Sequence, residues 1–141
     1  MNIPFGDYEI SDDKKRLDLD AVHAMLNRSY WANNRTRETI ERSVANSRCY
    51  GVYDRQGRQV AFARAITDAA TAYYLCDVIV DEAHRRSGIG TKLVQSIVES
   101  EELRGLFGYL ATDDAHGLYE KFGFRREPEK VMRKPREEGA R

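Results

Sequence analysis

The first part of the chain has the hydrophobic spacing of helices. Apolar residues recur one helical turn apart between residues 17 and 30, which predicts an amphipathic helix: Leu19, Val22 and Leu26. Acidic residues near its start favour the same assignment, because they interact well with the positive end of the helix dipole. A short strand is expected earlier, at residues 8–11. Thr36 is suited to cap a second helix that ends near Asn46.

The spacing changes to that of strands in the middle of the chain. Residues 48–53 and 59–66 alternate around the turn-forming run DRQG and predict a β-hairpin. Alternation along the second strand predicts that Val60, Phe62 and Arg64 share one face of the sheet.

The second half alternates strands with helices. A strand is predicted at residues 71–80, and the most regular helical pattern of the chain runs from 89 to about 102. Further elements are predicted as a strand at 108–112, a helix at 115–121, strands at 123–126 and 130–133, and a flexible tail at 134–141. This order predicts one α/β domain over residues 1–141, with a mixed sheet and helices on its faces.

The composition is that of an ordinary globular protein. Hydrophobic residues make up 41% of the chain and charged residues 33%, and 23 basic side chains balance 23 acidic ones. Because the net charge is near zero, no general attraction to nucleic acid or to an anionic membrane is expected. The N-terminal segment lacks a secretory signal, and no apolar run reaches the roughly 20 residues of a membrane-spanning helix. A cytoplasmic protein is therefore expected.

The cysteines and histidines do not form a metal-binding pattern. Cys49 and Cys76 lie far apart and outside any C-x-x-C motif. No two of the three histidines have the spacing of metal ligands, so no metal is expected. Both cysteines are expected to be reduced and buried as small apolar side chains.

A polar, glycine-containing loop separates the apolar run VIV at residues 78–80 from the regular helix. Gly88 and Gly90 in this loop permit positive φ angles and close approach of a ligand to the backbone. The amides and dipole of the following helix favour an anion such as phosphate, and Arg85 and Arg86 add positive charge. The spacing fits neither a Walker loop nor a dinucleotide fingerprint. A tight turn without a ligand is the alternative interpretation.

Two separated segments carry matching motifs. Residues 85–90 follow the pattern Q/R-x-x-G-x-G/A, and AHGLYEKFGF at 115–124 follows A-x-x-L-Y-x-K-x-G-F. Together they resemble the acetyl-CoA loop and the tyrosine segment of the GNAT superfamily of acyl-CoA N-acyltransferases. The resemblance implies a mostly antiparallel, twisted sheet with helices on both faces and a splayed strand pair that holds CoA. Thr112 departs from the family pattern, which often has asparagine there.

The resemblance also implies that acetyl-CoA is the cosubstrate. The main chain of the strand before the loop would pair with the pantetheine arm, and the loop amides would hold the pyrophosphate. A primary amine would attack the thioester directly in a ternary complex, so that no nucleophilic cysteine is needed. The residues implied to bind the cofactor are Val78, Ile79, Val80, Arg85, Arg86, Ser87, Gly88, Ile89, Gly90 and Thr91.

The same resemblance assigns one of the two proton transfers, whereas the base varies within the family. Tyr119 matches the family tyrosine that protonates the departing thiolate. Asp77 is the first candidate for the base or for binding the amine, with an ion pair to Arg64 on a neighbouring strand as the alternative. Weaker candidates for the base are Tyr74, Asp68 and His116.

The acceptor is expected to bind near the end of the first helix. Tyr30, Trp31 and Tyr74 are the predicted acceptor-binding residues, with Arg35 beside them, and core packing is the alternative for Trp31. The leading hypothesis is thus an N-acetyltransferase acting on a small-molecule or peptide amine. An acyl-CoA-binding regulatory module without turnover is the alternative, and the charge balance disfavours a nucleic-acid binder. A homodimer remains open.

Overall fold

A sheet of six strands forms the centre of the computed structural model, which describes residues 1–137 and 139. In chain order the strands are β1 (Asn2–Phe5), β2 (Tyr8–Ser11), β3 (Arg48–Tyr53), β4 (Gln59–Thr67), β5 (Ala72–Val80) and β6 (Phe107–Tyr109). They lie side by side in this same order. Neighbours from β1 to β5 are antiparallel, whereas β5 and β6 are parallel. The predicted mixed, mostly antiparallel sheet is confirmed.

Helices cover both faces of the sheet. They are α1 (Leu19–Asn27), α2 (Arg37–Ala45), α3 (Ile89–Val98) and α4 (His116–Glu120), with 3-10 turns at Lys14–Arg16 and Glu82–His84. One core cluster joins α3 to sheet residues such as Leu75, and a second joins α1 and α2 to Phe62 and Ile79. Cys49 is buried in the second cluster as expected, whereas Cys76 is only partly buried. No helix in the described part of the chain has the length and apolar character needed to cross a membrane.

The first two helices begin at polar caps. The Asp18 carboxylate accepts hydrogen bonds from the amides of Asp20 and Ala21 at 3.0 and 3.2 Å. Thr36 caps α2 as predicted, because its hydroxyl accepts from the amide of Thr39 at 3.1 Å. Each cap is worth about 1 kcal/mol. Since α1 ends at Asn27, the predicted helical residues 28–30 belong to the loop between α1 and α2.

The strands predicted at residues 123–126 and 130–133 are absent from the described chain. The amide of Phe124 donates to the carbonyl of Tyr119, so this backbone folds onto α4 rather than pairing in the sheet. Val131 and Met132 are exposed and lack the burial that stabilises a strand. Residues 134–137 of the predicted tail have no regular structure, and residues 138, 140 and 141 lie outside the described residues.

Three further differences have local causes. β1 was not predicted, because it is an edge strand without a fully buried residue. Val60 packs on the α3 side of the sheet and not on the same face as Phe62, contrary to the predicted alternation. The cause is a bulge: Tyr53 pairs with Gln59 and Val52 with Ala61, so that Val60 is an extra residue in β4. Helix α3 ends at Val98 rather than near residue 102, and a turn follows.

Gly108 on β6 is required by the ring of Tyr73 on β5. A Cβ at Gly108 would lie 2.6 Å from the Tyr73 hydroxyl oxygen and 2.7 Å from its Cζ. Because that ring is buried, we expect Gly108→Ala to lower the free energy of unfolding by about 1–3 kcal/mol in urea denaturation. The matched control is Gly117→Ala in α4, where a Cβ meets nothing within 4 Å and stability should be kept or increased. Equal losses in both variants would contradict this steric explanation.

Candidate functional site

Strands β5 and β6 separate after a short common ladder. Their pairing ends at Tyr74 and Tyr109, whereas the pairing of β5 with β4 continues to Val80 opposite Ala61. The part of β5 from residue 75 to 80 therefore has one edge outside the β6 ladder. This opening is the splayed strand pair that the resemblance implied, and Val78, Ile79 and Val80 lie along it.

A bulge bends β5 at this opening. Arg64 pairs with Cys76 and Phe62 with Ile79, so Asp77 and Val78 together oppose the single residue between Phe62 and Arg64. Asp77 has a φ of 54°, which is unusual for a residue with a side chain. A bulge increases bending and twist, and this one lies where β5 departs from β6.

The loop after β5 leads to an uncapped helix. Gly88 has a φ of 80° and Arg86 a φ of 67°, so two residues in this short loop adopt the left-handed conformation. No side chain among the described residues caps α3, and its first amides are available to an anion. Gly90 differs from the prediction, because it lies within the helix and outside the positive-φ region; a Cβ there would lie 3.7 Å from Val80 Cγ2.

The polar side chains of this loop are arranged around its outer surface. Arg85 and Arg86 are exposed, and Arg85 Nε donates to the carbonyl of Val80 at 3.3 Å. The hydroxyl of Ser87 donates to the carbonyl of His84, so it stabilises the loop. Ile89 is buried and anchors the helix start in the core, and Thr91 lies in the first turn. Backbone amides are thus the groups of this loop that could hold an anion.

Asp77 is held by three donors on the other side of β5. Its Oδ2 accepts from Arg35 at 2.7 Å and from Arg64 at 2.9 Å, and its Oδ1 accepts from the indole of Trp31 at 3.1 Å. Arg64 also donates to the Ser47 hydroxyl at 2.9 Å. The Asp77 side chain is 1% exposed. The ion pair between Asp77 and Arg64 that the sequence left open is therefore present.

The charge of Asp77 is stabilised despite its burial. Burial by itself raises the pKa of the Asp77 carboxyl, but the hydrogen bond from Arg35 and the charge of Arg64 outweigh it and lower the pKa below its usual value. A carboxylate of lowered pKa is a weak base. The geometry favours a structural role for this group over proton abstraction.

Tyr119 lies on α4 and packs against the core cluster that contains α3. Its ring contacts Phe124 edge-on with centroids 6.0 Å apart. Burial, followed by the charge of Asp114 and the neighbouring Tyr30 and Cys76, raises the pKa of the Tyr119 phenol to about 12. The phenol of Tyr119 on α4 thus lies within electrostatic range of Tyr30 in the α1–α2 loop and of Cys76 in β5.

The predicted acceptor residues are exposed around this place. Tyr30 and Trp31 are 57% and 40% exposed, and their rings meet edge-to-face with centroids 5.1 Å apart. Tyr74 on β5 is also exposed. The pKa of the Tyr30 phenol is raised by partial desolvation and by the charges of Asp113 and Asp114. The main-chain amide of Asp113 acts in the opposite direction.

Other candidates have local structural roles. Asp68 lies in the β4–β5 turn, at the end of β5 away from Val80, where it accepts hydrogen bonds from the amides of Ala70 and Thr71; these bonds lower the pKa of its carboxyl. The Thr112 hydroxyl accepts from the amide of Ala115 at 3.0 Å and so shapes the start of α4. His116 is the first residue of α4.

Sequence reasoning did not single out Asp113 and Asp114 as site residues. Their position directly before the tyrosine motif was the available signal, because it places them in the loop that faces Tyr30. Within the described residues no group of three or more histidine, cysteine, aspartate or glutamate side chains could hold a metal ion.

Comparison with protein-family models matches residues 45–126 to a model described as an acetyltransferase (GNAT) domain. A solved structure from Xanthomonas campestris pv. campestris, assigned to the GNAT family, is 36% identical in sequence; the alignment covers 94% of each chain with a TM-score of 0.86. A protein of Gibberella zeae named as an inferred acetyltransferase is 27% identical in an alignment of 143 positions that covers 85% of this chain and 80% of that protein.

A more distant likeness concerns the fold alone. The ribosomal-protein-S18-alanine N-acetyltransferase of Escherichia coli is 24% identical, and its structure aligns with a TM-score of 0.69 over 85% of this chain and 79% of that one. The splayed strands and the loop before α3 thus lie in a fold that this chain has in common with its relatives.

Proposed function

We propose that this chain, which belongs to the GNAT family of acetyltransferases, transfers the acetyl group of acetyl-CoA to a primary amine. The family membership makes the protein an acyltransferase. The cosubstrate and the direct attack by an amine are the finer parts of the proposal.

One observation carries this proposal: β5 continues past its ladder with β6 and leads to the uncapped start of α3. The edge of Val78–Val80 that lies outside the β6 ladder suits the amide groups of a pantetheine arm, which can hydrogen-bond like another strand. The amides at the helix start suit its pyrophosphate, because they point outward at the positive end of the dipole. The residues present therefore fit acetyl-CoA, which would supply an activated acetyl thioester.

Tyr119 is proposed as the general acid. When the amine nitrogen bonds to the thioester carbonyl carbon and the carbon–sulfur bond breaks, the Tyr119 phenol donates its proton to the thiolate sulfur. The amine nitrogen gives up one proton to solvent water, and the Tyr119 phenolate takes a proton back from water before the next turnover. A phenol with a pKa raised to about 12 holds its proton at neutral pH. We give Asp77 a positioning role, since its carboxylate is committed to Arg35, Arg64 and Trp31.

The acceptor is proposed to enter beside Tyr30 and Trp31. These exposed rings lie on the α1–α2 loop, close to Asp113 and Asp114 and on the same side as Tyr119. The E. coli protein of similar fold is named for N-acetylation of an alanine of ribosomal protein S18. A peptide amine is therefore one of the acceptors to test, together with small amines.

The test combines acetyl-CoA binding with turnover. Isothermal titration calorimetry measures acetyl-CoA affinity, and thiol release measures transfer to n-butylamine, L-lysine, spermidine and a tripeptide with N-terminal alanine. We expect binding, and thiol release that depends on at least one amine. Binding without release by any amine would instead identify an acyl-CoA-binding module, and absence of binding would contradict the proposal.

Gly88→Leu is expected to weaken acetyl-CoA binding by about 10- to 100-fold. A side chain at this left-handed residue disturbs the backbone that presents the amides of the α3 start, and each hydrogen bond to a charged group is worth about 1.5–3 kcal/mol. The measurement is calorimetry with acetyl-CoA.

Gly105→Leu is the matched control for this variant. Gly105 has the same φ of 80° and no atom within 4 Å of an added Cβ, but it lies between α3 and β6. Both variants suffer similar backbone strain, whereas only Gly88→Leu should lose affinity. Unchanged affinity in Gly88→Leu would show that the pyrophosphate binds elsewhere.

A further inference from the structure

The α1–α2 loop is fixed to β5 and not only to the helices it connects. Ala32 anchors its inner side in the core cluster of α1 and α2. Towards the sheet, Trp31 and Arg35 donate to the two oxygens of Asp77 at 3.1 and 2.7 Å. The position of the loop therefore depends on the bulge of the strand that carries Asp77.

A second ion pair connects the loop to the residue that follows β5. Arg28 at the start of the loop pairs with Asp81, directly after β5, at 3.1 Å. This pair is more exposed and is expected to contribute less than the buried one at Asp77. Together the two bridges align the loop along the part of β5 that extends past the β6 ladder.

We propose that Arg35 and Trp31 are positioning residues that hold the α1–α2 loop against the β5 bulge as the acceptor-side wall of the active site. This inference rests on the proposed function. The indole N–H of Trp31 is used by Asp77 while the ring remains 40% exposed, so one edge of the ring is anchored and the rest is available to an acceptor. Tyr30 packs on that anchored ring.

Asp77 connects this wall to the sheet. Its second guanidinium partner, Arg64, belongs to β4 and reaches the Ser47 hydroxyl before β3. Removal of Arg35 consequently leaves the Asp77–Arg64 pair and the bulge in place, while it removes the charged contact of the loop with Asp77 and loosens the loop. Loss of Arg35 should therefore impair acceptor binding much more than acetyl-CoA binding.

The experiment uses Arg35→Gln, with Trp31 as a spectroscopic reporter because it is the only tryptophan of the sequence. Turnover is measured by thiol release with the amine of the panel above that the native protein uses fastest. We expect the KM for that amine to rise about tenfold, in line with the loss of one hydrogen bond between charged groups. Acetyl-CoA affinity should change less than about twofold, and acrylamide should quench Trp31 fluorescence more strongly.

Two further variants separate positioning from general stability. Arg35→Lys keeps the charge but not the planar fork and should restore part of the affinity for the amine. Arg37→Gln removes an exposed arginine that pairs with Asp20 and Glu41, and it should leave the KM and the quenching as in the native protein.

The outcomes distinguish this inference from the proposed function. Native turnover with an unchanged KM in Arg35→Gln would overturn the inference alone. An equal loss of acetyl-CoA affinity would also overturn it, because Arg35 would then support the cofactor strand itself. Absence of turnover by the native protein with every amine would contradict the proposed function.

Discussion

Tyr119→Phe is expected to lower kcat by about 10²- to 10⁴-fold, the usual contribution of a general acid. The substitution removes the phenolic oxygen but keeps the ring that packs against Phe124. The KM for the amine and the affinity for acetyl-CoA should therefore change little. Thiol release at saturating substrates measures the effect on kcat, and calorimetry measures the affinity.

The pKa of Tyr119 adds a condition to this prediction. Burial raises that pKa to about 12, so the phenol keeps its proton throughout the neutral and mildly alkaline range. At pH values below about 10, kcat should therefore not fall through loss of the Tyr119 proton. The control is Tyr53→Phe on β3, where burial also raises the pKa of the phenol to about 12. The Tyr53 hydroxyl has no hydrogen-bond partner among the described residues, and β4 separates β3 from β5. Equal kcat values for Tyr119→Phe and the native protein would remove Tyr119 from the chemistry.

Asp77→Asn is expected to lower the free energy of unfolding by about 3–5 kcal/mol at neutral pH, the usual cost of removing one partner of a buried ion pair. The substitution leaves the guanidinium groups of Arg35 and Arg64 in a mostly buried place without their anion. Urea denaturation followed by circular dichroism measures the difference from the native protein.

The same pair makes stability depend on pH in the acid range. The pKa of Asp77 is lower in the folded protein than its ordinary value of about 3.9. Its contribution to stability is therefore complete above that ordinary value and is lost as the pH falls through the lower folded value. The difference between native protein and Asp77→Asn should shrink below about pH 4.

Asp20→Asn is the control for Asp77→Asn. Asp20 also pairs with an arginine, Arg37, at 2.6 Å, but its side chain is 86% exposed. Its urea midpoint should match that of the native protein, because exposed ion pairs contribute little. If Asp77→Asn had the native midpoint at neutral pH, the buried network would not stabilise the fold.

The regular helix and the glycine loop were predictable from short stretches of sequence. The apolar residues of α3 recur one turn apart, and Thr36 caps α2 through an amide three residues away. The left-handed φ of Gly88 follows from its residue type and its place before a helix. Such features depend on neighbours within one or two turns, so a single sequence contains the information that determines them.

The strand ends and bulges were not predictable in the same way. Val60 breaks the alternation with Phe62 because the register of β4 against β3 shifts at Tyr53. The apolar residues after α4 suggested strands, but the amide of Phe124 bonds back to Tyr119. In each case pairing with a remote segment, or its absence, outweighs the local pattern.

By itself, the sequence determined the α/β class, the start of α3 after Gly88 and the place of Tyr119 in a helix, since motifs and periodicity are local properties. Only the tertiary structure decided that Asp77 occupies a bulge, where Trp31 and Arg35 reach it from 46 and 42 residues away. The physical reason is that a buried carboxylate takes its pKa and its role from the charges packed around it. Those charges come from other elements, and folding brings them together.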